Sequence, residues 1–204
     1  MLRGVKFFCM QQNPELQADK EQEKDRIEQL VQNVQKGDVQ SFARIYEHYV
    51  DKVYKYFFFK ASQEEAFDLT ENLFLKVWEN IRQYQRKSGA SFAAWMFRIA
   101  HNQLVDHYRV ETPKAELDPQ YPDQRIDVSP VFLTEQSLSR GNLKTALSKL
   151  KDPHREIITF TYINGFSNEE IAQIMNKTEG SLRVLKFRAL RDLKRILEEM
   201  GIKY

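Results

Sequence analysis

The sequence predicts an all-α protein made of two small helical domains that a flexible linker joins. Apolar residues recur every three or four positions along most of the 204-residue chain, which is the period of an amphipathic helix. No segment shows the alternation of apolar and polar residues that is typical of a strand. Four of the six prolines fall within residues 110–134, where they argue against a regular helix.

The composition excludes several classes of protein. Hydrophobic residues make up 42% of the chain and charged residues 29%, as in ordinary globular domains. The single cysteine, Cys9, excludes a disulfide scaffold and any metal site built from several cysteines. No apolar run is long enough to span a membrane, and the first ten residues lack the apolar core of a signal peptide. We therefore expect a cytoplasmic protein without membrane insertion.

The N-terminal half is predicted to form helices with recognisable ends. The first carries apolar residues between positions 27 and 34, and the second carries them between positions 42 and 57. Ser62 and Glu65 have the spacing of a capping box, which opens a third helix. After the basic loop at positions 84–89, Ser91 is expected to cap a fourth helix.

That fourth helix mixes rings, amides and basic groups. Trp95, Asn102 and Arg109 are among them, and such side chains suit single-stranded or melted DNA, whose bases stack on rings and bond to polar groups. The alternative is that the rings are core residues, because Phe92, Trp95 and Ile99 share one helix face.

The C-terminal half carries a helix-turn-helix pattern. Ser167 and Glu170 form a second capping box, a short helix follows, and Thr178 can cap the last helix after a tight turn. On that last helix, leucines at 182, 185 and 193 share the inward face. The opposite face carries Arg183, Val184, Phe187, Arg188 and Arg191. Arginines beside apolar groups suit phosphates, guanine edges and thymine methyls, although a dimer interface or a covered helix would also explain this face.

No catalytic or metal-binding constellation is evident. The four histidines lack a sequence-level nucleophile partner, and His101 and His107 are too far apart to share a helix face as metal ligands would. The chain has no glycine-rich phosphate loop. We expect no enzyme activity, no cofactor and no metal.

Two segments resemble a known family in order and spacing. Residues 68–78 (DLTENLFLKVW) and 92–102 (FAAWMFRIAHN) resemble segments of bacterial RNA polymerase sigma factors of the sigma-70 family, extracytoplasmic-function (ECF) class. The helix-turn-helix, with residues 178–183 (TEGSLR), is similar to that family's C-terminal domain. The resemblance implies a sigma-2-like domain at 25–109 and a sigma-4-like domain at 137–204. Residues 1–24 are then a flexible tail, and residues 110–136 are the linker.

The resemblance also implies the partners. The sigma-2-like domain would bind the clamp helices of the largest subunit of core RNA polymerase through Asp68, Glu71, Asn72 and Phe74. The family's Gln-Glu pair is Glu71-Asn72 here, so the acid has moved by one position. The C-terminal domain would bind the flap of the second-largest subunit. Promoter DNA and an anti-sigma factor complete the expected partners.

The expected DNA contacts form two groups. For the −10 element the resemblance implies Asn102, with Tyr84 and Arg86 as candidates for capturing a flipped base, and with Arg98 and Arg109 as phosphate or structural groups. For the −35 element it implies a set on the last helix: Thr178, Ser181, Arg183, Val184, Phe187 and Arg188.

The predicted function is that of an alternative sigma factor, which recruits core RNA polymerase to promoters and promotes melting. The alternative is a polymerase-independent helix-turn-helix regulator, in which the N-terminal domain would dimerise or bind a ligand. A third possibility is a helical enzyme or scaffold with a coincidental helix-turn-helix.

Overall fold

Eight α-helices form the parts of the chain that the computed structural model describes, which are residues 14–86, 91–111 and 140–202. They are α1 (Pro14–Gln35), α2 (Val39–Phe58), α3 (Gln63–Asn80), α4 (Phe92–Glu111), α5 (Arg140–Ser148), α6 (Asp152–Ile158), α7 (Asn168–Met175) and α8 (Glu179–Glu199). A 3₁₀ turn, Ile81–Gln83, follows α3, and a π-helical turn, Thr159–Ile163, extends α6. No strand occurs in these ranges, which confirms the all-α prediction.

Helix α1 is longer than the sequence pattern indicates. The expected flexible tail covered residues 1–24, yet the structure is helical from Pro14 onward. The helical spacing of apolar residues is present only in the later turns of α1, where Ile27, Val31 and Val34 are buried. The earlier turns are polar and therefore carry no apolar signal. Residues 1–13 lie outside the described residues.

Helices α1 to α4 pack around a shared apolar core. Ile45 of α2, Leu73 of α3 and Phe97 of α4 are fully buried at its centre. The predicted capping box at the start of α3 is confirmed, with both the Ser62 and Glu65 side chains bonded to the other residue's backbone N–H. Such caps satisfy N–H groups that the helix itself leaves unpaired, and they fix where α3 begins.

The helix-turn-helix consists of α7 and α8. Ser167 and Glu170 cap α7 reciprocally, as predicted. Gly165 precedes this cap with a φ of +73°, and Asn176 ends α7 in the left-handed conformation, which asparagine tolerates better than most residues. The backbone turns sharply at each of these two residues, and the two turns set the direction of α7 and α8 relative to α6.

The two halves of the chain share one core. Tyr56 of α2 stacks on Phe160, with ring centroids 5.0 Å apart, and Phe97 of α4 contacts Phe166 at 4.8 Å. The two helical domains that the sequence predicts are present as α1–α4 and α5–α8, and periodicity within each helix does not show that their aromatic rings meet. Residues 112–136 of the expected linker lie outside the described residues.

A buried polar cluster lies at this junction. Glu156 of α6 places Oε1 2.8 Å from the Tyr56 hydroxyl, 2.9 Å from the Lys60 ammonium and 2.7 Å from Nδ1 of His101. We call these four residues the Glu156 cluster. Burial raises the pKa of the Glu156 carboxyl, but the charge of Lys60 and the bond from His101 outweigh it and lower this pKa to about 2.

The lowered pKa of Glu156 predicts a loss of stability in acid. Because the folded-state pKa lies below the ordinary value of 4.5, the contribution of Glu156 is complete above about pH 4.5 and disappears as the pH falls towards about 2. We expect the thermal midpoint, followed by circular dichroism, to fall in this range. The drop should be shallower in Glu156→Gln, and an equally steep drop would contradict this assignment.

Within the described ranges, every helix is too short or too polar to traverse a lipid bilayer. The same residues contain no group of three or more His, Cys, Asp or Glu side chains arranged to hold a metal ion.

Candidate functional site

The first candidate surface lies on α3. Asp68, Glu71 and Asn72 are exposed and lie on one side of the helix, as their spacing of three and four residues requires. Phe74 does not join them, because it is only 4% exposed and packs on Tyr46 at 4.6 Å between ring centroids. Phe74 therefore supports this surface from beneath, and its contact with the polymerase stays a prediction.

Exposed apolar side chains outside the predicted contact set complete this surface. Leu75 is 61% exposed and Trp78 is 42% exposed, and the Trp78 ring contacts Phe42 of α2 at 4.8 Å. Val39 and Tyr46 of α2 are exposed as well. We call this surface the α2–α3 face and define it by Val39, Tyr46, Asp68, Glu71, Asn72, Leu75 and Trp78. The helical spacing of Leu75 and Trp78 with Asp68 and Glu71 is the signal that could have identified them.

The predicted base-capture residue Tyr84 is buried. Its hydroxyl donates to Glu28 Oε1 at 2.8 Å, and its ring packs on Phe92 and Trp95. Burial, followed by the bond to Glu28, raises the pKa of the Tyr84 phenol. Tyr84 therefore anchors the loop to α1, and its capture of a flipped base stays a prediction.

Arg86 lies at the same loop and is half-exposed. Its guanidinium is 3.0 Å from Asp25 Oδ1 and 3.8 Å from Glu21 Oε1, both on α1. The bond to Asp25 raises the pKa of Arg86. The rest of the predicted loop, residues 87–90, lies outside the described residues.

Helix α4 carries the remaining −10 candidates. Ser91 caps it as predicted, because its hydroxyl accepts the Ala94 N–H at 3.2 Å. Arg98 and Asn102 are exposed and lie one turn apart on the same side of α4. The side chain of Arg109 lies outside the described residues. Phe92 is buried and Trp95 is half-buried, so the core interpretation of these rings holds.

The second candidate surface is the outer side of α8. Thr178 Oγ1 accepts the Ser181 N–H at 3.3 Å, and the Ser181 hydroxyl donates to the Thr178 carbonyl. Thr178 therefore caps α8, and the exposed position of both residues leaves the positive end of the helix dipole accessible to an anion.

Further along α8, the predicted outward residues differ in exposure. Arg183 is exposed and Val184 is 45% exposed, whereas Phe187 and Arg188 are half-buried. Lys186 joins the same region and donates to Asn168 Oδ1 of α7 at 3.1 Å. Arg183 and Val184 thus place a cation and an apolar group together on the surface of α8. Recognition of base edges in a DNA groove uses both kinds of group.

Comparison with family models matches both halves of the chain. Residues 45–113 match the model described as Sigma-70 region 2, and residues 140–193 match the model described as Sigma-70, region 4. The matched ranges contain the α3 part of the α2–α3 face, the exposed side of α4, and α8 up to residue 193.

Individual relatives extend this similarity. The chain is 32% identical to the ECF RNA polymerase sigma factor BldN of Streptomyces coelicolor, over 85% of this chain and 67% of that protein. It is 26% identical to the ECF RNA polymerase sigma factor SigW of Bacillus subtilis, over 85% of this chain and 98% of that one.

Solved structures show the same fold. CnrH in complex with the cytosolic domain of CnrY matches with a TM-score of 0.61 and 20% identity, over 83% of this chain and 96% of that one. RpoE in complex with the anti-sigma factor NepR from Bartonella quintana also matches with a TM-score of 0.61, at 22% identity, over 78% of this chain and 98% of that one.

Proposed function

This chain belongs to the ECF sigma factors of the sigma-70 family, and from that premise we propose which of its surfaces binds each partner of transcription initiation. It is an alternative sigma factor that directs RNA polymerase to promoters. We propose that the α2–α3 face binds the clamp helices of the largest subunit and that the C-terminal half binds the flap of the second-largest subunit.

The α2–α3 face carries this proposal because it combines two features that a protein interface needs. Large apolar side chains are exposed at Leu75 and Trp78, and such patches mark binding sites. Asp68 and Glu71 add negative charge on the same side of α3, which favours a basic partner and fixes its register.

We propose that the two DNA-facing surfaces each bind a different promoter element. Arg98 and Asn102 of α4 would face the −10 element, with Arg86 at the edge of this surface, and Arg183 and Val184 of α8 would face the −35 element. The exposed side chains at both places support this division. We further propose that the chain is cytoplasmic and has no catalytic activity of its own, because the polymerase supplies the chemistry.

An anti-sigma factor is the expected regulator. One solved structure with the same fold is a complex with the anti-sigma factor NepR, and another is a complex with the cytosolic domain of CnrY. We propose that a small protein of this class holds the present chain until initiation is required.

The direct test is co-elution of the purified chain with core RNA polymerase on a sizing column, followed by promoter selection with the holoenzyme. We expect a one-to-one complex and enrichment of sequences that share −10 and −35 elements. A folded chain that does not co-elute, yet binds duplex DNA by itself with a steep salt dependence, would contradict the proposal.

Arg183→Ala is expected to weaken holoenzyme binding to a promoter by about 1–3 kcal/mol if Arg183 contacts a base at the −35 element. Fluorescence anisotropy with matched and altered −35 sequences measures the loss. Arg195→Ala is the control, because Arg195 lies near the end of α8 and pairs with Glu199. An equal loss of affinity on every −35 sequence would indicate that Arg183 contacts a phosphate and not a base.

Asn102→Ala is expected to spare polymerase binding and to reduce open-complex formation, since Asn102 is exposed on α4 and lies outside the α2–α3 face. Permanganate reactivity of thymines around the −10 element measures melting. Unchanged permanganate reactivity with normal occupancy of the promoter would show that Asn102 has no role in melting.

A further inference from the structure

One carboxylate of α1 holds both ends of the loop that joins the 3₁₀ turn to α4. Glu28 Oε1 accepts a hydrogen bond from the Tyr84 hydroxyl at 2.8 Å and a second one from the Phe92 backbone N–H at 3.0 Å. Gln35, two turns further along the same side of α1, donates to the Tyr84 carbonyl at 2.8 Å. We call Glu28, Tyr84 and Phe92 the Glu28 bridge.

Burial makes the Glu28 bridge costly to break. Glu28 and Tyr84 are each 6% exposed, and Phe92 is 1% exposed. Phe92 is the first residue of α4, so its N–H is one of those that the helix itself leaves unpaired, and the helix dipole favours a carboxylate there. Without the carboxylate, a buried hydroxyl and a buried N–H lose their acceptor, which costs more than the two bonds contribute in net stability.

The position of the bridge connects it to the −10 element. Tyr84 and Phe92 are eight positions apart, and the loop between them is the one from which capture of a flipped base is expected. Flipping a base costs unstacking energy, which a preformed pocket offsets. A loop that must order itself around the base also loses conformational entropy, and fixed loop ends reduce that loss before the DNA arrives.

We propose that Glu28 is a positioning residue for base capture at the −10 element: by fixing both ends of the loop, it presents the loop to the flipped base in one arrangement. This inference rests on the proposed function for its role and on the contacts of Glu28 for its mechanism. Glu28 is buried and therefore acts through the loop. It also precedes residues 45–113, the range that matches the region 2 model.

Hydrogen exchange of the Phe92 amide, followed by NMR on the full chain, tests the bridge itself. Glu28→Ala should speed this exchange by about tenfold or more relative to amides of α8, which serve as the reference for overall stability. Glu28→Gln keeps an acceptor oxygen and should stay within a few-fold of the wild type. Gln29→Ala is the control, because Gln29 is the next residue of α1 and is exposed.

Abasic sites in promoter DNA test the role in base capture. Holoenzyme affinity is measured on fork DNA in which each base of the single-stranded −10 element is removed in turn. The wild type should lose about tenfold or more at the captured position, and Glu28→Ala should lose no more than about threefold there. Losses from −35 substitutions should be the same in both chains. A merely structural role of Glu28 would weaken binding to every fork equally and leave the abasic penalty intact.

Three results would overturn the proposal. The first is unchanged Phe92 exchange in a folded Glu28→Ala chain, and the second is a full abasic penalty despite faster exchange. The third is a Glu28→Gln chain that behaves like Glu28→Ala, because the effect would then not follow the hydrogen bonds. If Glu28→Ala loses its helical circular dichroism, Glu28→Asp decides instead, since it keeps the charge and shortens the side chain by one methylene. Faster Phe92 exchange with a smaller abasic penalty in Glu28→Asp supports the proposal, and no change in either quantity overturns it.

Failure of the proposed function would give a different result. A wild-type holoenzyme whose affinity depends on no base of the −10 element would contradict −10 recognition by this chain. Phe92 exchange needs neither DNA nor polymerase, so it would still decide whether the Glu28 bridge exists.

Discussion

Phe97→Ala is expected to lower the free energy of unfolding by about 3–5 kcal/mol. Phe97 is 0% exposed and contacts Tyr56, Phe160 and Phe166, so its removal leaves a cavity between the two halves. For a chain of this length the thermal midpoint should fall by roughly 6–20 °C. Thermal and urea unfolding followed by circular dichroism measure both quantities.

Val105→Ala on the same helix is the control for this change. Val105 is exposed, so its truncation should alter stability by no more than about 0.5 kcal/mol. A loss below about 1 kcal/mol in Phe97→Ala would mean that the aromatic junction between the halves contributes little. That outcome would also indicate that the two halves do not share a core in solution.

Leu75→Asp is expected to weaken binding to core RNA polymerase by about 2 kcal/mol or more, which is roughly a thirtyfold rise in Kd. Leu75 is the most exposed apolar residue of the α2–α3 face, and a carboxylate there would have to be buried against the clamp without a partner. Fluorescence anisotropy of the labelled chain titrated with core polymerase measures the change.

Val105→Asp is the matched control, because it makes the same change from an exposed apolar side chain to a carboxylate on α4, outside the α2–α3 face. Its affinity for polymerase should stay within a few-fold of the wild type. Equal losses in both variants would indicate a general charge effect. Phe74→Ala should instead reduce stability, since Phe74 lies beneath this face.

Local features could be predicted from the sequence because they depend on residues three or four positions apart. The capping boxes of Ser62 with Glu65 and of Ser167 with Glu170 are of this kind, and both are present in the structure. The cap at Thr178 and the exposed position of Arg183 on α8 follow from the same short-range geometry.

The burial of Tyr84 could not be predicted in this way. Its partner Glu28 is 56 residues earlier in the chain, and nothing near Tyr84 indicates that a carboxylate of α1 lies beside it. Phe74 and Leu75 show the same limit within one helix. They differ by one position, and only the packing of α3 on Tyr46 decides which of the two is buried.

The sequence by itself determined the helical class, most helix ends and the family, because periodicity, caps and motifs are local. The tertiary structure alone decided that the two halves share a core and that Glu156 meets Tyr56 and Lys60 across it. Those partners are about 100 residues apart, and an isolated glutamate on a short helix has the same local pattern whether water or a buried lysine surrounds it.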